Sequence, residues 1–147
     1  MARADYFAIE QAIKTLIEGN ANTPANTKVF IESEISFAHE ACPGVYIYLD
    51  RRSAPAGIQR LAAGTRTDFE VRFTVWCAEW HQDSVAKASE FRDDLIGKIE
   101  LALMSDRTLG GSVESSWLDG GEFGSFEENG FLSLGEIVLI AHVKATA

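Results

Sequence analysis

Cysteine is scarce in this sequence: only Cys42 and Cys77 occur among 147 residues. That argues against a disulfide framework, and the pair reads as two reduced, partly buried thiols. Long apolar runs are also missing. No segment approaches the roughly 18 consecutive apolar residues of a membrane span. Met1-Ala2-Arg3-Ala4-Asp5 lacks the apolar stretch of a signal peptide, so synthesis and action without export through a membrane is expected. Basic residues are few, with 13 Lys and Arg against 22 Asp and Glu and a formal net charge of −9. Binding along a phosphate backbone needs Lys and Arg to displace counterions, and docking on anionic lipid needs them too. Neither sequence-specific nucleic-acid binding nor a membrane partner is expected.

Catalytic patterns are equally thin. The sequence has no Gly-x-Ser-x-Gly and no Gly-rich stretch followed by Gly-Lys-Ser/Thr. The histidines are His39, His81 and His142. His81 between Glu79 and Asp83 is superficially metal-like, but a zinc site shows further His or Cys ligands at tight spacing. A solvated turn, with Asp83 capping the next helix, is the expected reading. Cys77 shares its strand face with apolar residues and is expected to be a buried structural thiol. Adjacent carboxylates such as Asp93-Asp94 point apart on a helix. No enzyme activity, metal or cofactor is expected.

What is present is enough apolar material, 46% of residues, for one core in a single domain. Asp5 stands as an N-cap before Tyr6, Ile9, Ile13, Leu16 and Ile17, whose three- and four-residue spacing makes one apolar helix face. Gly19 and Asn20 end that helix, since both tolerate the left-handed conformation. Val29 to Ile31 is expected as a short strand, with Ile35 to Phe37 as its continuation. Val45, Ile47 and Leu49 alternate with Tyr46, Tyr48 and Asp50 as a strand entered through Pro43-Gly44. The clearest strand runs from Thr67 to Ala78, with Phe69, Val71, Phe73, Val75 and Cys77 on one face. Asp83 and Ser84 open a long helix to about Met104, with Ala88, Phe91, Leu95, Ile99 and Ala102 as its stripe. Leu109-Gly110-Gly111 turns into a strand over Ser112 to Leu118. Asp119 to Leu132, rich in Gly and acid, is expected as a mobile loop, and a last strand carries Ile137, Leu139, Ala141 and Val143 inward. The expected fold is α+β: a mostly antiparallel sheet of about four to five strands with two helices packed on one face.

Charge is unevenly placed. From Arg51 to Thr67 there are four arginines (Arg51, Arg52, Arg60, Arg66) and no acid, with Ile58 and Leu61 among them. From Thr108 to Val143 there are six acids (Glu114, Asp119, Glu122, Glu127, Glu128, Glu136) and no Lys or Arg. One reading makes both stretches solvated loops. The other makes the basic loop of one subunit meet acidic surface on another, since complementary patches on different faces suit contacts that close into rings. Arg72, Trp76 and Trp80 lie together on or beside the strand face opposite the helices. Either the chain folds over that face or another molecule meets it.

The layout resembles the tail terminator (lambda-type minor tail) proteins of long-tailed bacteriophages. The resemblance rests on the helix Tyr6 to Ile17, the strand Pro43-Gly44-Val45-Tyr46-Ile47-Tyr48 and an elongated loop. The strand Phe69-Glu70-Val71-Arg72-Phe73-Thr74-Val75-Trp76-Cys77-Ala78, the Leu109-Gly110-Gly111-Ser112-Val113 turn and the closing strand Glu136 to Val143 complete it. It spans nearly the whole chain, through motifs that are individually unspecific. The resemblance implies a virion protein, made in the bacterial cytoplasm, that forms a hexameric ring on the finished tail tube. Its expected partners are copies of itself, the major tail-tube protein and the head–tail connector or stopper, with DNA passing through the ring. Arg51, Arg52, Ile58, Arg60, Leu61 and Arg66 would then contact tube or neighbour, and Asp119, Glu122, Glu127 and Glu128 would face ring or lumen. A head-completion or neck protein shares this fold logic. A small-ligand module using the face around Trp76 is the rival from another class.

Overall fold

The computed structural model describes residues 5–53, 66–127 and 129–146. Among these residues two α-helices and six strands follow in the order α1 (Tyr6–Gly19), β1 (Lys28–Ile31), β2 (Gly44–Ser53), β3 (Arg66–His81), α2 (Val85–Met104), β4 (Ser115–Leu118), β5 (Phe123–Glu127) and β6 (Phe131–Thr146). The strands form one sheet in the order β1-β2-β3-β6-β4, with β5 also on β6. Among the described residues only the β1–β2 pair is parallel. The expected α+β class and helix-covered sheet are therefore present, with six strands where four to five were expected.

β3 and β6 are the spine. They pair without a break from Arg66↔Thr146 to His81↔Phe131. Alternation along β3 sends Val71, Phe73, Val75 and Cys77 to one face, where they pack with Ile9, Ile13 and Ile17 of α1 and Leu95, Ile99 and Leu103 of α2. The strand is longer than the expected Thr67 to Ala78, reaching His81. In the α2 stripe, Phe91 departs from expectation: it is exposed and lies beside His81, with ring centroids 5.9 Å apart.

The helix ends show which local signals operate. Asp5 accepts from the Ala8 N–H at 3.0 Å, as its position implies. α1 does stop at Gly19, but Asn20 is extended, not left-handed, and its N–H returns to Ile17 O. Ser84, not Asp83, caps α2 by accepting from Lys87 N–H at 3.1 Å. His81 Nδ1 accepts from the N–H groups of both Asp83 and Ser84, so the imidazole anchors the turn that enters the helix.

Two expectations are corrected beyond the helices. Residues Ile35 to Phe37 do not continue β1; the chain from Glu32 to Pro43 crosses the sheet's second face. The expected strand Ser112 to Leu118 begins only at Ser115, after a turn through Leu109, Gly110 and Gly111.

β4 and β5 lie along the same side of β6, separated by a bulge. Asp119 N–H donates to Val138 O (2.9 Å), Val138 N–H to Gly120 O (2.7 Å) and Glu136 N–H to Glu122 O (2.8 Å). Gly121 has φ +155°, and a Cβ there would fall on the Glu136 backbone. Gly121→Ala is expected to lower stability by roughly 1–3 kcal/mol, because neither backbone is free to yield. Urea denaturation checks this, and a variant as stable as the parent would disprove the close approach.

Candidate functional site

The basic stretch begins on β2. Arg51 and Arg52 are exposed at the far end of that strand, where the register with β3 shifts between Leu49 and Arg51. Arg52 is engaged with its own subunit: Nη1 donates to the Tyr6 hydroxyl at 3.1 Å, and the guanidinium lies 5.3 Å from the Phe69 ring centroid. Arg51 shares a shallow depression with Glu70, Arg72 and Ile140. Ile58, Arg60 and Leu61 lie outside the described residues. Arg66 starts β3, opposite Thr146.

The acidic stretch is not the loop expected from Asp119 to Leu132. Phe123–Glu127 forms β5, and Phe131 opens β6, because Gly130 (φ +144°) turns the chain back into an antiparallel pair. Glu127 is thus an exposed strand residue, while Asp119 and Glu122 border the bulge. Glu128 lies outside the described residues. Asp119 reaches Arg72 at 3.9 Å in a solvent-exposed pair that contributes little stability. The Glu136 carboxyl is raised from its ordinary value mainly by burial, with the Glu122 and Asp50 charges adding to it. The Glu122 N–H, which Glu136 Oε1 accepts at 3.2 Å, and Arg72 act the other way.

The chain's own crossing segment covers much of the face around Trp76 and Trp80. Both are half-buried against a second apolar cluster of Tyr46, Ala78, Leu132 and Leu134. Phe30 stacks on Tyr46 at 4.9 Å. The Tyr46 hydroxyl accepts from Ser36 N–H, and the Tyr48 hydroxyl donates to Ser33 O. Trp80 lies against His39 at 4.5 Å, and a Cβ at Gly130 would overlap its ring. At Trp80 the chain folds over this face through His39, while Trp76 remains half-buried. Arg72 lies beyond that cluster, at the Asp119 side.

Three of the exposed aromatic residues lie on or against β5. Phe123 is 63% exposed, Phe126 47% and Phe37 44%. Phe123 sits opposite Gly135 on the helix side of the sheet, under the Arg92 guanidinium at 4.6 Å. Phe126 sits opposite Leu132 on the other side and meets Phe37 edge-on at 5.5 Å. The two phenylalanines of β5 therefore straddle a sheet edge. Their three-residue spacing was a usable signal, since residues three apart in a strand point to opposite faces; it was obscured by the surrounding glycines and acids.

The remaining chemistry is muted. Cys77 is fully buried and its thiol is pushed far up by burial, then by the Glu100 and Glu79 charges. Cys42 is pushed up to about 11 by burial, then Glu79, against the Lys28 charge. Neither thiol is activated as a nucleophile needs. Among the described residues no three His, Cys, Asp or Glu side chains gather as metal ligands do, and no helix is long and apolar enough to cross a membrane. No protein-family model matches the chain, and no curated protein matches it.

Proposed function

We propose that the protein is a structural virion subunit that assembles with copies of itself into a ring, closing the tail tube of a long-tailed phage beneath the head connector. The observation that carries the assembly part is a separation of charge along the sheet. The basic stretch joins β2 and β3 at the Arg66↔Thr146 end, whereas Glu127 and β5 sit at the His81↔Phe131 end. Sixteen-residue strands place those ends about 50 Å apart at roughly 3.3 Å per residue. An arginine-bearing connection at one end of a subunit and a strand edge flanked by Glu122 and Glu127 toward the other suit head-to-tail contact, and such contacts close into rings. The half-buried environment of Trp76 and Trp80 weighs against a ligand pocket on that face. The tail-terminator identity rests on the order and spacing of the sequence motifs, and it makes the tail-tube protein and the connector the partners. The acids not used in contacts would line the lumen and keep DNA from adhering in transit.

Negative-stain electron microscopy of the protein alone and mixed with tail-tube protein tests this. Rings, or rings that cap tubes and limit their length, are the expected result. Protein that ignores tubes but is captured by portal or adaptor would replace this reading with a neck protein. A monomer that ignores all of these and is stabilised by a small ligand would replace it with a binding module.

A further inference from the structure

β5 leaves an edge of the sheet unpaired: among the described residues it pairs with β6 alone. Glu136 N–H donates to Glu122 O, so the alternation of an antiparallel ladder turns the N–H and C=O groups of Phe123, Ser125 and Glu127 away from β6. Every residue of β5 is exposed except Gly124, which is half-buried. A strand laid alongside would meet backbone donors and acceptors already set at strand spacing. Open edges are usually blunted with Lys or Pro, and β5 has neither.

The side chains decide what that strand must be. Phe123 and Phe126 are exposed on opposite faces, and Phe37 widens the apolar surface beside Phe126. A partner strand covers both only with two apolar residues three apart, one on each of its own faces. Glu122 precedes the first phenylalanine and Glu127 follows the second, both exposed. No Lys or Arg lies between Thr108 and Val143 to neutralise them. The Arg92 guanidinium above Phe123 is held by Asp93 at 2.9 Å and Ser133 at 3.0 Å. Two β5 edges brought together would crowd the carboxylates of both copies along one short ladder, and like charges across strands destabilise it. A basic strand is attracted by the same carboxylates. The acids therefore disfavour a second β5 and select a strand of opposite charge.

We propose that the β5 edge takes up an extended segment of a different protein, one with two apolar residues three apart between Lys or Arg residues. Main-chain hydrogen bonds to Phe123, Ser125 and Glu127 supply the adhesion, the two phenylalanines set the register, and Glu122 and Glu127 choose the partner. This contact goes beyond the ring proposed above and stands independently of it.

The probe is a fluorescein-labelled peptide, Thr-Arg-Val-Thr-Thr-Val-Arg-Thr, titrated with the full-length protein to millimolar concentration and read by fluorescence anisotropy. Laid antiparallel on β5, its valines meet Phe126 and Phe123 and its arginines meet Glu127 and Glu122. Saturable binding is expected, weaker by about tenfold when glutamates replace both arginines of the peptide. Ser125→Pro removes an outward N–H while leaving the β6 ladder, and should weaken binding about tenfold; Ser125→Ala should change it less than about twofold. The double variant Glu122→Lys/Glu127→Lys alters only exposed side chains and should reverse the preference, favouring the glutamate peptide. That reversal carries the test should Ser125→Pro not fold. Absence of binding, equal binding of the two peptides, or binding indifferent to these variants would overturn the contact. Self-association of the full-length protein that Ser125→Pro abolishes would give the edge to a second copy, overturning this proposal while favouring the ring. Charge-selective peptide binding by a protein that forms no rings and ignores tubes would support the contact and remove the ring reading.

Discussion

Phe73→Ala is expected to lower the free energy of unfolding by about 3–5 kcal/mol, the range for emptying a buried aromatic site. Phe73 is fully buried in the central strand, with Leu49 of β2 and Leu139 of β6 as its cross-strand neighbours. α1 and α2 close over the same face, so the cavity has rigid walls on three sides and little means of collapse. Domains are stable by only about 5–15 kcal/mol, so the variant would be near the limit of folding. Phe73→Leu keeps more of the volume and should lose distinctly less. Urea denaturation with an unchanged slope would measure both. A loss under about 1 kcal/mol for the alanine variant would mean that this face is not the dry, closely packed centre described above.

The second large effect is a dependence on pH. Glu10 is only 3% exposed, on the inner face of α1, and its Oε2 has no hydrogen-bond partner. It faces Glu32 at the end of β1, whose Oε1 accepts from Leu49 N–H at 2.8 Å. Burial, then a hydrogen bond with the Glu32 carboxyl and that group's charge, push Glu10 up to about 8 from 4.5. Its folded value lies above its unfolded one, so its contribution is fully present below about pH 4.5 and is lost as pH rises through about 8. Glu79, pushed up to about 7 by burial and the Asp94 charge against Lys98, acts in the same direction over an overlapping window. The protein should therefore be more stable at pH 5 than at pH 8.5.

Glu10→Gln isolates the part due to Glu10, because an amide matches the shape and polarity of the protonated acid without ionising. The variant should gain on the parent as pH rises, with the difference between the two growing by more than about 1.4 kcal/mol from pH 5 to pH 8.5, the equivalent of one unit of pKa. Thermal or urea unfolding across that range measures it. Parallel stability curves for the two proteins would show that Glu10 does not hold its proton in the fold.

Several of these features were legible in the residues themselves. Period-two alternation from Phe69 to Cys77 gave both the strand and its buried face, and the Ile9, Ile13, Ile17 stripe gave the helix that packs on it. Glu10 even carried a signal, since it falls between Ile9 and Ile13 on the apolar side of α1. Other features had no local trace. Phe91 has the spacing of the α2 stripe yet remains exposed, beside His81 at the end of β3. Arg52 looked free for a partner, but the folded chain brings Tyr6 and Phe69 to it.

The candidate contact surface divides in the same way. The sequence by itself determined the core alternation, the helix stripes and the segregation of arginines from acids, because each depends on neighbours a few residues apart. Tertiary structure alone decided that Glu32 to Pro43 crosses the second face over Trp76 and Trp80. It also decided that Phe123–Glu127 is an edge strand, and that the acidic edge and the basic connection lie at opposite ends of β3 and β6. Each of those depends on which distant strands pair and in what register. That choice is made by burial over the whole sheet, which no short window of residues contains.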